Sequence, residues 1–71
     1  MYVIVAQRGN DEPQLVREVG PDGVFDTITS IAKEIARLSG GRRITCWAES
    51  GVVDPDGTIT RLWVEWRERR A

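Results

Sequence analysis

A continuous apolar run opens this chain, a period near 3.6 governs its middle, and period-two alternation of apolar and polar positions governs its last third. Tyr2 to Gln7 is β-favouring and apolar on both faces, which predicts a central strand. The polar run Gly9-Asn10-Asp11-Glu12-Pro13 predicts a loop, and Gln14 to Val19 a second, weaker strand with Leu15, Val16 and Val19 as its apolar members. Gly20-Pro21-Asp22-Gly23 carries turn chemistry. The spacing then changes. Ile28, Ile31, Ala32, Ile35 and Leu38 recur at intervals of three and four and form one apolar stripe, while Thr29, Ser30, Lys33, Glu34 and Arg37 make the polar face. Asp26 is the expected N-cap, Arg37 suits the negative end of the helix dipole, and Gly40-Gly41 supplies the stop.

Alternation with period two sets in after the glycines. Arg43 to Glu49 sets Ile44, Cys46 and Ala48 against Arg43, Thr45, Trp47 and Glu49. Ile59 to Arg67 sets Leu62, Val64 and Trp66 against Ile59, Arg61, Trp63, Glu65 and Arg67. Between them, Asp54-Pro55-Asp56-Gly57 has the residues of a type I turn, and a Gly57 with positive φ predicts a three-residue hairpin loop with a bulge. Such a loop pairs residues whose numbers sum to an even value. Ile44 is then expected opposite Trp66, Cys46 opposite Val64, Ala48 opposite Leu62, Trp47 opposite Trp63 and Glu49 opposite Arg61. An odd register would put Trp47 beside Val64 and break both the apolar and the charge pairings. Gly51 is the position where a bulge would reset them. The expected architecture is one α+β domain over residues 1–71: a four-stranded, mainly antiparallel sheet in the order β-β-α-β-β, with one helix on one face.

Length and charge narrow the function classes. A chain of 71 residues buries only ~60–65 % of its unfolded surface, so its core is small and a deep substrate pocket is not expected. Ten Lys+Arg against eleven Asp+Glu give a net charge of −1, without the basic excess of a phosphate-gripping domain. Basic residues gather only locally, at Arg42-Arg43 and Arg67, Arg69 and Arg70. The tail from Arg67 is read as a solvated strand end, suited to attract an acidic surface. A single cysteine, Cys46, excludes an intrachain disulfide. No apolar run reaches transmembrane length and no signal-peptide pattern opens the chain, so a cytoplasmic protein without membrane contact is expected.

The candidate chemistry is sparse. Cys46 alternates with Ile44 and Ala48, which predicts a buried apolar role. With no histidine in the chain, the usual activating base for a thiol is missing, as are the common zinc ligand sets. Asp54, Asp56 and Gly57 share the opening of a calcium loop but lack its distal bidentate acid, and turn chemistry explains all three. No carboxylate pair is placed for acid–base work and no glycine motif opens a helix to cradle phosphate. No catalytic, cofactor or metal site is expected. What remains is two tryptophans set among charges. Trp47 and Trp63, flanked by Arg43, Arg61 and Arg67, are the candidate partner-binding residues, because Trp and Arg are enriched at interface hot spots. Three other uses stay open: a cross-strand pair that only stabilises the hairpin, a stacking platform for single-stranded nucleic acid, and a homodimer buried through that face.

Phe25-Asp26-Thr27 opening a helix with Ala32, Ala36 and Arg37, then Ile44-Thr45-Cys46-Trp47, then Asp56-Gly57-Thr58-Ile59, resembles the pattern of small bacterial and bacteriophage proteins. Some of these serve as anti-CRISPR inhibitors. The resemblance implies a non-enzymatic module that binds a protein or ribonucleoprotein partner stoichiometrically and blocks its binding to target DNA inside a bacterial host. It assigns no functional residues.

Overall fold

The computed structural model describes residues 1–46 and 49–68, together with all their side chains except those of Cys46 and Glu49. Five strands and one helix follow one another: β1 (Tyr2–Arg8), β2 (Gln14–Val19), a 3-10 turn at Pro21–Gly23, α1 (Val24–Ser39), β3 (Arg42–Cys46), β4 (Glu49–Val53) and β5 (Ile59–Trp66). All pairings are antiparallel, and the sheet order is β2-β1-β5-β4-β3. The class is α+β as expected, with five strands in place of four.

The extra strand comes from the stretch expected as one strand over residues 43–49. β3 stops at Cys46 and pairs with β4 from Arg42 opposite Val53 to Cys46 opposite Glu49, so the chain reverses between them. Gly51, expected as a possible bulge, sits within β4. Its position needs the smallest residue, since a Cβ there would meet Ile44 Cγ1 and the Thr60 carbonyl oxygen, each at 3.1 Å.

The Asp54–Gly57 turn forms as its residues predict. Gly57 donates its N–H to the Asp54 carbonyl at 2.9 Å and has φ 89°, and Asp54 donates its N–H to the Thr58 carbonyl. Asp56 Oδ1 accepts the Thr58 N–H at 2.9 Å. Asp54 and Thr58 close the loop, so opposed residues number 112 in sum, as in Val53 with Ile59 and Ser50 with Leu62. The parity is the expected one and the partners are not. Ile44 lies opposite Gly51 instead of Trp66, and Val64 lies opposite Ile4 in β1. Leu62 lies opposite Ser50 instead of Ala48, and Arg61 opposite Gly51 instead of Glu49, because β4 stands between β3 and β5. The expected Trp47–Trp63 pair and the burial of Cys46 fall outside the described residues and side chains.

α1 begins three residues earlier than the Asp26 cap implies. Pro21 fixes the backbone of the 3-10 turn, Gly23 becomes the N-cap without a side-chain bond, and Asp26 moves into the first turn, where the helix dipole favours it. At the other end Gly40 takes a left-handed conformation and Gly41 donates its N–H to the Ala36 carbonyl, a Schellman closure. The helix packs Ile28 and Ala32 against Ile4, Leu62 and Val52 from the three middle strands, with Ile31, Ile35 and Ala36 at the margins. Leu38, expected in the stripe, is exposed.

β1 is a middle strand, as its two apolar faces require. Ile4 faces the helix, while Val3 and Val5 face away from it. They are nonetheless 0 % and 1 % exposed. β2, the edge strand beside β1, carries a bulge: Ile4 lies opposite Arg17 and Val5 opposite Leu15, leaving Val16 as the extra residue. No described helix is long and apolar enough to cross a membrane.

Candidate functional site

Cross-strand partners share a face, and neighbours along a strand alternate. This rule assigns the face without the helix to Leu15 and Glu18, then Val3, Val5 and Gln7, then Ile59, Arg61, Trp63 and Glu65, then Gly51 and Val53, and finally Arg42 and Ile44. Trp63 lies opposite Val5 in the middle of this surface. Its ring is half-buried, and the Arg61 guanidinium carbon stands 5.6 Å from its centroid. Arg61 also donates to Gln7 Oε1 at 2.9 Å, so both ends of the cation are held. Beyond Trp63, Arg67 donates to Glu65 Oε2 at 3.0 Å. The centre of the face is therefore an Arg–Trp stack with an acid and a second arginine on its far side. Ile44 leans across Gly51, and Leu15, Ile44 and Ile59 keep apolar surface in water.

Of the five residues expected to bind a partner, the structure brings three together. Trp63, Arg61 and Arg67 share this face. Arg43 does not: it lies opposite Val52, a residue of the helix-side core, and so belongs to the other face at the β3 edge. The cause is the reversal after Cys46, which separates β3 from β5 by a strand. Trp47 lies outside the described residues.

Trp66 is the aromatic that alternation alone misplaces. Expected beneath the helix with Leu62 and Val64, it is 66 % exposed. It shares the helix side of the sheet but lies past the cover of α1, packed edge to face on Tyr2 with ring centroids 5.0 Å apart. Met1, Glu18, Val19, Gly20 and Pro21 complete an open concavity there of about 530 Å³. One signal was available in the sequence. Trp66 and Tyr2 flank the ends of two β-favouring runs, outside the span that a single helix of 16 residues covers.

The acidities that depart from ordinary values belong to local structure. Arg37 hydrogen-bonds Glu34 through both guanidinium arms, which lowers the Glu34 pKa and raises that of Arg37. The Thr58 N–H lowers the pKa of Asp56. Asp54 is buried and accepts from Arg8 at 3.1 Å through Oδ2, while its Oδ1 has no protein partner. Both turn aspartates thus have structural work, and no group of three or more metal-ligating side chains occurs among the described residues.

No protein-family model matches the chain, and neither does any curated protein or solved structure.

Proposed function

We propose that the chain is a non-catalytic binding module whose contact surface is the helix-free face of the sheet, with Trp63 as anchor and Arg61 and Arg67 as the directional cations. The observation that carries this reading is the Arg61–Trp63 stack. A half-buried indole beneath a guanidinium already tethered by Gln7 offers large contact area at little further cost in side-chain entropy, which is how interface hot spots are built. Arg61 has no carboxylate partner among the described residues, so a partner presenting an acidic group at this point gains a bidentate contact. The partner class that fits is a protein or ribonucleoprotein in the cytoplasm. The inhibitor form, in which an RNA-guided effector is kept from its target DNA, draws its support from the Phe25-Asp26-Thr27 and Asp56-Gly57-Thr58-Ile59 resemblance.

Capture from a bacterial lysate tests the surface. Wild type is expected to retain a stoichiometric partner that Trp63→Ala and Arg61→Ala lose while remaining folded by circular dichroism. A partner retained equally by all three sinks the reading. The same stack supports a second reading, a platform for single-stranded nucleic acid, against which Glu18 and Glu65 on the face weigh. That reading requires oligonucleotide binding that weakens steeply with added salt.

A further inference from the structure

The residues on either side of Trp63 form a palindrome of charge. Along the helix-free face, β5 presents Arg61, Trp63 and Glu65 at even spacing. A second copy laid face to face with its β5 antiparallel, related by a two-fold axis through Trp63, sets Arg61 of each copy over Glu65 of the other. Trp63 then meets Trp63. The parallel orientation stacks Arg61 on Arg61 and Glu65 on Glu65, so charge selects the antiparallel one.

We infer that a second copy of this chain occupies this face, giving a two-fold, sheet-on-sheet dimer centred on Trp63 with reciprocal Arg61–Glu65 contacts. The inference rests on the contact surface proposed above and names its occupant.

Area agrees with this. Five strands spaced ~4.8 Å apart and about six residues long at ~3.3 Å per residue make a face of roughly 450–500 Å². Two such faces together bury about 1,000 Å², the lower bound for a specific interface. Packing needs agree too. Among the described residues, the helix side supplies only Ile4, Ile28, Ala32, Val52 and Leu62 as buried core, and chains of this size commonly gain stability by association. Antiparallel sheets pack face to face about 10 Å apart, a gap that the Trp63 rings and the Ile44, Ile59 and Leu15 side chains would fill. Glu65, held within its own copy by Arg67, would then bridge two arginines. Self-association and capture of another macromolecule become mutually exclusive uses of one surface.

Sedimentation equilibrium on the intact chain tests this. Wild type should sediment at twice its 8.0 kDa mass and dissociate on dilution. Arg61→Glu and Glu65→Arg should each be monomeric, because each sets like charges together. Their equimolar mixture should recover the dimer, because both cross-contacts then regain opposite signs. Circular dichroism on each variant establishes that it is folded. A wild type monomeric at every concentration, single variants as dimeric as wild type, or a mixture that stays monomeric each overturns the inference. A monomeric wild type that still captures a lysate partner through Trp63 overturns the dimer and leaves the contact surface standing.

Discussion

The two faces of β1 are equally dry and are dried by different means. On one, Ile4 lies under α1 with Ile28 and Ala32. On the other, Val3 and Val5 lose their water with no helix above them, set between Glu18 and Leu15 on one flank and Glu65 and Trp63 on the other. Burial in this sheet therefore does not require a second layer. In the middle of five strands, a small β-branched side chain is covered by larger neighbours, and those neighbours keep their own outer surfaces in contact with solvent. The helix side is dried by a second layer, whereas the open side is dried by its own side chains and keeps its outer surface in solvent.

Truncating the two faces in parallel is the sharpest way to break this contrast. Ile4→Ala should cost about 2–5 kcal/mol in denaturant unfolding, the range for a buried aliphatic removed from a packed core. Val5→Ala should cost about 1–3 kcal/mol, because it too is fully enclosed. A loss for Val5→Ala within the ~0.5 kcal/mol typical of surface positions would show that the open face is not packed.

A smaller effect is expected where Ile44 crosses Gly51. Gly51→Ala places a methyl 3.1 Å from Ile44 Cγ1 and from the Thr60 carbonyl, and should destabilise by about 1–2 kcal/mol through overpacking. Pairing it with Ile44→Ala should recover part of that loss, seen as a non-additive double-mutant cycle. Additive losses would mean that the clash lies with the Thr60 backbone alone.

The smallest effect belongs to the turn. Asp56 is held below its ordinary pKa by the Thr58 N–H. Its contribution is thus present above the unfolded value of ~3.9 and fades as pH falls through the lower folded value. Asp56→Asn should flatten the acid limb of the stability–pH curve by slightly lowering stability at neutral pH and leaving it unchanged at the acid end. An unaltered acid limb removes Asp56 from that role.

Much of this layout was legible from residue order. The Ile28–Ile35 stripe, the double-faced Tyr2–Gln7 strand and the Asp54–Gly57 turn each combine a pattern with a specific chemistry, and each is found in place. β4 was not legible. Glu49, Ser50 and Gly51 have weak strand preference, and their pairing comes from neighbours on both sides. With β4 unseen, β3 was set directly beside β5, and Arg43 was carried onto the wrong face. Trp66 failed for another reason: alternation names a side of the sheet but not how far along it the helix extends.

The position of β5 carries a consequence for how the chain is made. It is the last strand described, yet it lies between β1 and β4 and joins them. Until it leaves the ribosome, the β1–β2 and β3–β4 hairpins have no common partner, and their apolar edges wait unpaired. Contacts of wide sequence separation, such as Tyr2 with Trp66, raise the contact order and slow folding. The nascent chain should therefore remain aggregation-prone until β5 has emerged, then assemble in one cooperative step.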